Sequence, residues 1–211
     1  PETLVLQDWF LEANGSLESG FDTRARATLP GTEGPVSLSL RGLVSTEAAR
    51  DIEFELSTQK PGQAGVASVA GKVSWLGGLK ADADVSLRKF PWFSLLPDIS
   101  EPPVELNRLD GTVSWDDGLY NGRLQADVAG PKGDATLSSV VDGDLSAATL
   151  KDLRVTTGAG SLTGDASLEF SGPLSWQAAL ALDNFNPGYW LPMLEASLSG
   201  DVETQGALRV G

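Results

Sequence analysis

No cysteine and no histidine occur in these 211 residues. The first absence removes disulfides, thiolate nucleophiles and cysteine-based metal sites; it fits an envelope protein that avoids thiol oxidation, and cytosolic proteins equally well. The second removes the commonest general base and the commonest metal ligand. Basic residues are also few, with 15 Lys and Arg against 29 Asp and Glu, for a net charge of -14. A surface of that sign keeps a protein soluble and repels phosphate backbones and anionic membrane faces, so no nucleic-acid partner is expected. Aromatic residues make up only 7 %. No apolar run approaches the roughly 18 residues of a membrane-spanning helix. The opening Pro1-Glu2-Thr3-Leu4 is neither a signal peptide nor an initiator methionine, so the chain is expected to be a piece of something longer.

Motifs of catalysis are equally scarce. There is no Gly-x-Ser-x-Gly, no glycine-rich phosphate loop opening a helix and no metal-ligand spacing. Asp116-Asp117 and Asp142-Gly143-Asp144 are carboxylate pairs of the kind that glycosidases use across a cleft. Both sit in glycine-containing turn sequences, where Asp is favoured because it bonds the local backbone. No EF-hand-like series of ligands follows Asp142. The chain is therefore not read as an enzyme, and neither a metal nor a cofactor is expected.

What is present is alternation. Apolar residues are 41 % of the chain and glycine reaches 24. In residues 161–170 the even positions read Leu, Gly, Ala, Leu, Phe and the odd positions Ser, Thr, Asp, Ser, Glu. This period of two is that of a strand with one apolar and one polar face. It recurs at 36–40, 52–56, 69–75, 81–87, 109–115, 124–128 and 198–210. Turn pairs such as Pro30-Gly31, Gly77-Gly78, Asp117-Gly118 and Gly172-Pro173 fall between these stretches. Roughly a dozen strands at 8–12-residue spacing give an all-β class. Helix signals are limited to single turns at 90–97, 187–194 and 46–51.

The alternation also repeats at longer range. Leu79 to Leu87 leads to Phe90-Pro91 and then Pro97, while Leu174 to Leu182 leads to Phe185-Asn186-Pro187 and then Pro192. Gly71-Lys72-Val73-Ser74-Trp75 matches Gly111-Thr112-Val113-Ser114-Trp115, each followed by a Gly-Leu turn and a further strand. Repeated strand units imply an elongated array rather than a globule around one active site. The chain reads as one continuous array over 1–211, with approximate units 1–62, 63–100, 101–145 and 146–211.

Five glycines, Gly42, Gly71, Gly111, Gly164 and Gly200, fall on the apolar phase of their strands. Glycine weakens a strand, so each needs a reason. They mark bends or bulges, or they leave room along an apolar trough. Of the tryptophans, Trp75, Trp115 and Trp176 fall on the apolar phase; Trp92 and Trp190 fall in the proline-flanked bends, as caps of the interior or as ordinary loop anchors.

The segment 174–192 carries Trp176, an alternating strand, then Asn184-Phe185-Asn186-Pro187 and Pro192, followed by Leu198-Ser199-Gly200-Asp201-Val202 and Gly206. Leu150-Lys151-Asp152-Leu153-Arg154-Val155, then Gly160-Ser161-Leu162 and Gly164, read as a strand, a short turn and a Gly-strand. This phrasing resembles the TamB and AsmA-like bacterial envelope proteins, most clearly from about residue 150 onward. The resemblance implies a long curved sheet folded into a U-shaped, taco-like groove with an apolar interior; a closed β-solenoid or a β-sandwich is the alternative. It further implies a periplasmic section of a protein anchored in the inner membrane. The whole protein would carry phospholipid between the inner and outer membranes. It would work with a TamA-like outer-membrane protein of the BamA family, through a C-terminal region not recognisable here. Chaperone-like binding of outer-membrane protein segments is the second functional reading.

On this reading the acyl chains of phospholipids would lie against Leu40, Phe54, Val73, Trp75, Val85, Leu87, Val113, Trp115, Leu162, Leu168, Phe170, Trp176, Leu180, Leu182, Leu198 and Val202. The five in-phase glycines would open the groove between them. The acidic exterior would leave the headgroup in solvent, with little selectivity among headgroups.

Overall fold

A computed structural model describes residues 7–32, 34–58, 64–95, 104–189 and 196–207. The chain divides into two compact units, Pro1–Pro102 and Pro103–Gly211. The first holds β1 (Gln7–Ser16), β2 (Gly20–Leu29), β3 (Val36–Val44), β4 (Ala48–Thr58), β5 (Val66–Ser74) and β6 (Lys80–Arg88), then a 3-10 helix at Trp92–Leu95. The second holds β7 (Glu105–Asp116), β8 (Leu119–Gly130), β9 (Gly133–Gly143), β10 (Ala147–Thr157), β11 (Ser161–Glu169) and β12 (Ser175–Phe185). A 3-10 helix at Pro187–Tyr189 and β13 (Leu198–Ala207) complete it.

Within each unit every strand pairs antiparallel with its sequence neighbours, so the sheet is a simple meander. Short turns dictate this, because antiparallel strands can be joined by a few residues whereas parallel ones need a long crossover. The expected all-β class holds, with an open, curled sheet in each unit. Sequential hairpins do not form the parallel coil of a solenoid, and among the described residues no second sheet lies on the apolar face.

Curling comes from bulges. The register slips between Ala49 and Ile52 on β4, Leu150 and Leu153 on β10, and Leu182 and Phe185 on β12. At each slip one residue takes a left-handed backbone: Asp51 (φ 50), Asp152 (φ 51) and Asn184 (φ 47). Asp and Asn tolerate that region best among non-glycine residues. A bulge adds local twist and leaves backbone groups without ladder partners. Side chains supply them: Ser139 Oγ donates to the Lys151 carbonyl at 3.0 Å, Asp165 Oδ1 accepts from Asp152 N–H at 2.9 Å, and Ser199 Oγ accepts from Asn184 N–H at 3.0 Å.

Each unit has a small core at one end of its strands. In the first, Leu29, Val36 and Phe90 are buried and gather Leu38, Leu56, Ala67, Leu87 and Leu95. In the second, Ala135, Val155, Leu162 and Phe185 are buried, with Val128, Leu137, Leu153, Leu180 and Leu182 against them. Both clusters draw side chains from five successive strands.

Of the helical turns expected, 90–97 contains the Trp92–Leu95 helix and 187–194 contains Pro187–Tyr189; residues 96, 97 and 190–194 lie outside those described. The turn expected over 46–51 does not form, because β4 already begins at Ala48. Ser45 makes the reversal there: its N–H donates to the Ala48 carbonyl at 2.8 Å and its Oγ accepts from Ala48 N–H at 3.1 Å. A serine that satisfies its own turn competes with a helix nucleus for the same backbone groups.

Candidate functional site

Register converts the alternation into stripes that cross the strands. In the second unit Leu109, Ala126, Leu137, Val155, Leu162, Leu182 and Gly200 stand opposite one another in turn, one on each of the seven strands β7 to β13. Trp115, Tyr120, Gly143, Ala148, Leu168, Trp176 and Gly206 form another stripe, and Val113, Gly122, Val141, Leu150, Ala166, Ala178 and Thr204 a third. In the first unit Leu11, Ala25, Leu40, Phe54, Val69 and Val85 span all six strands. Ala27, Leu38, Leu56, Ala67 and Leu87 run beside them.

At the core end Phe90 and Leu95 cover part of the first unit's stripes and Phe185 part of the second's; elsewhere the side chains flank one another and no second sheet lies over them among the described residues. Leu40, Phe54, Val73, Val85, Leu87, Val113, Trp115, Leu168, Trp176, Leu180 and Leu182 are half-buried, and Leu162 is buried. Leu198 and Val202 on β13 are exposed, as is Phe170, which follows β11. Trp75 also lies past the end of its strand, and its indole Nε1–H donates to the Thr46 carbonyl at 2.7 Å across the neighbouring turn. Trp115 stacks on Tyr120 with ring centroids 6.3 Å apart.

The in-phase glycines have neighbours that explain them. A Cβ on Gly71 would lie 2.2 Å from the Asp82 carbonyl oxygen, and one on Gly164 2.0 Å from that of Ala179. On Gly111 it would lie 2.6 Å from the Leu124 side chain, and on Gly42 3.3 Å from the Arg50 carbonyl oxygen. These four admit the adjoining strand at close range. Gly200 differs: nothing lies within 4 Å, and its φ is +124°.

Of the proline-flanked bends, the buried aromatic is Phe90 in one and Phe185 in the other, each about 95 % or more removed from solvent. Trp92 is exposed and sits edge-on to Phe93. The role of cap therefore belongs to Phe90 rather than Trp92, and Trp190 lies outside the described residues. Both repeated phrases place this Phe at the same step after the alternating stretch, Leu87 to Phe90 and Leu182 to Phe185.

The opposite face is polar and charged. Arg41 pairs with Glu53 across β3 and β4, Lys72 with Asp82 at 3.3 Å and Lys151 with Asp142 at 2.9 Å. The Asp142 carboxylate raises the Lys151 ammonium above its ordinary pKa. These pairs are exposed and contribute little to stability. Shallow depressions on this side, about 970 Å³ over β2–β5 and 610 Å³ over β11–β13, are lined mainly by Ser, Arg, Glu, Gln and small residues. Among the described residues no three carboxylates converge as a metal site.

Residues 119–211 match the family model described as TamB, N-terminal domain. Over this region the chain is similar to TamB. The TamB match covers β8 to β13 and so includes most of each seven-strand stripe and the Phe185 core. No curated protein and no solved structure matches the chain. No described helix is long and apolar enough to cross a membrane.

Proposed function

We propose that this TamB-like chain conducts phospholipid acyl chains along its apolar face, as a periplasmic section of a protein that bridges the inner and outer membranes and serves outer-membrane assembly. The observation that carries this reading is an apolar face over which, among the described residues, no second sheet lies, organised in stripes that run across the strands of a unit. An acyl chain lying along such a stripe needs no polar partner, and each buried methylene contributes about 0.8 kcal/mol. The reading involves no catalytic step. The whole protein would add an inner-membrane anchor and act with a TamA-like partner of the BamA family.

Native mass spectrometry of the purified chain tests it, with co-purified phospholipid as the expected result. In cells, Leu180→Asp should block lipid movement while leaving the strand ladder intact, since Leu180 lies between Gly164 and Val202 on the apolar face. Transport that survives in a stably folded Leu180→Asp protein would remove the conduit reading at that position.

A second reading, chaperone-like binding of outer-membrane protein segments, draws on the same apolar stripes, against which the apolar side of an extended amphipathic segment could lie.

A further inference from the structure

Each strand of the second unit runs between two rows of turns. One row contains the β8–β9 and β10–β11 turns and lies at the Phe185 end, where Lys132 and Ala159 are at the turn tips. The other row contains three turns: residues 116–119, 143–147 and 169–175. The second row carries large exposed apolar side chains at every turn: Leu119 (64 % exposed), Leu145 (78 %), and Phe170 with Leu174 (45 % and 38 %). Successive turns of a meander are two strands apart, so these tips recur at roughly 9–10 Å.

Turn chemistry does not call for them. Gly118 and Gly172 provide the reversals in two turns. In the third, Asp144 Oδ1 accepts from the N–H and hydroxyl of Ser146 and from Ala147 N–H, and Leu145 contributes only its backbone. Solvent-facing turn tips normally carry polar residues. Leu119 stands opposite Asp116, on the polar phase, so it is not part of the apolar stripes.

The charge around these tips has one sign. Asp116, Asp117, Asp142, Asp144 and Glu169 lie in or beside the three turns, with no Lys or Arg within them. Lys151 offsets Asp142 from the neighbouring strand. Carboxylates among the tips disfavour an anionic bilayer or a nucleic acid, and complement a surface that alternates apolar and basic groups. The first unit shares it in part, with Leu17 beside Glu18 and Leu76 in the β5–β6 turn, both at least 70 % exposed, while its β3–β4 turn carries no large apolar side chain.

We propose that this rim docks a cationic amphipathic segment of a partner polypeptide. Its apolar side chains would seat on Leu119, Leu145 and Leu174, and its lysines or arginines would pair with Asp117 and Glu169. Leu174 continues the phase of Trp176 and so adjoins the end of the apolar stripes, whereas Leu119 lies off them; the contact does not depend on the lipid reading.

The experiment titrates a fluorescein-labelled peptide of alternating leucine and lysine into the purified chain, with a leucine–glutamate peptide as control. Binding of the lysine peptide alone is expected, weakening as salt rises. Leu119→Ser with Leu145→Ser should weaken it about tenfold, and Asp117→Asn should flatten the salt dependence. The two serine variants remove exposed side chains, and unchanged circular dichroism and thermal unfolding would show them folded. A charge-matched control, Glu55→Gln on the first unit's polar face, should leave binding unchanged. The proposal is overturned if the rim variants bind the lysine peptide as wild type does, if the control weakens binding as much as Asp117→Asn, or if the glutamate peptide binds equally. Co-sedimentation with phosphatidylcholine vesicles that the serine variants abolish would give the rim to a membrane instead. Dimerisation of the wild type alone, lost in the same variants, would give it to a second copy of the chain; both outcomes also overturn the proposal.

Discussion

The backbone N–H of Thr32 donates to the carbonyl of Ser94 at 2.9 Å. This joins the turn after β2 to the 3-10 helix after β6, although three strands separate them in the sheet order. The chain leaving β6 therefore runs back across one end of the first unit, and Phe90 lies beneath it against Leu29 and Val36. One end of this unit is thus closed by its own chain, over the Leu38, Leu56, Ala67 and Leu87 stripe, while no second sheet lies over the Leu40, Phe54 and Val85 stripe among the described residues. Phe185 takes the same part in the core of the second unit.

Phe90→Ala should be among the most damaging single substitutions in the first unit. Removing a buried Phe costs about 3–5 kcal/mol, whereas Trp92→Ala, at a more exposed position, should cost clearly less. Urea unfolding of the two variants checks the order. Equal losses would mean that the bend is held by the tryptophan after all.

Gly71→Ala and Gly164→Ala should each destabilise, by about 1–3 kcal/mol or more, because a new methyl would force neighbouring backbone away. Gly172→Ala is the control: nothing lies within 4 Å of its Cβ position, so it should stay within about 0.5 kcal/mol of wild type. Thermal unfolding of the three proteins separates close strand packing from simple loss of chain flexibility.

The β9–β10 turn should depend on pH. Hydrogen bonds from the Ser146 hydroxyl, the Ser146 N–H and the Ala147 N–H hold the Asp144 carboxyl below its ordinary range. A carboxyl lowered in the folded state stabilises above its unfolded pKa, and loses that contribution as pH falls through the folded value. The Ser146 and Ala147 amides should therefore lose protection on acidification below the usual carboxylate range, and hold it through neutral pH. Amide exchange followed by NMR reads this directly, and in Asp144→Asn the acid-dependent step should vanish.

Phospholipids that share acyl chains but differ in headgroup should bind this chain alike. The stripes offer apolar contact, and the nearest formal charges stand on the opposite face or at the turns. Native mass spectra recorded with equimolar phosphatidylethanolamine and phosphatidylglycerol make the comparison. A large preference for one would point to a headgroup site and away from contact through the tails alone.

Much of this fold was legible in the sequence wherever alternation ran unbroken. The stretches 36–40, 81–87 and 161–169 lie within β3, β6 and β11, and the Phe-Pro and Phe-Asn-Pro phrases end strands β6 and β12. β10 was legible only through the 150–155 phrase and the upper part of β4 not by alternation, because Asp152 and Asp51 each insert a residue and shift the phase. β1 was obscured by the consecutive Trp9-Phe10-Leu11, beside another register slip. A template of strict period two cannot follow a strand through a bulge.

Composition and alternation by themselves determined the all-β class, the sidedness of the strands and the absence of cysteine and histidine chemistry, since each follows from residue type and a local period. Only the tertiary structure decided that Phe90 is buried while Trp92 is exposed, that Gly71 admits a neighbouring carbonyl, and that Leu119, Leu145 and Leu174 share one rim. Those facts depend on register and on where bulges bend the sheet, which bring together residues that no local pattern connects.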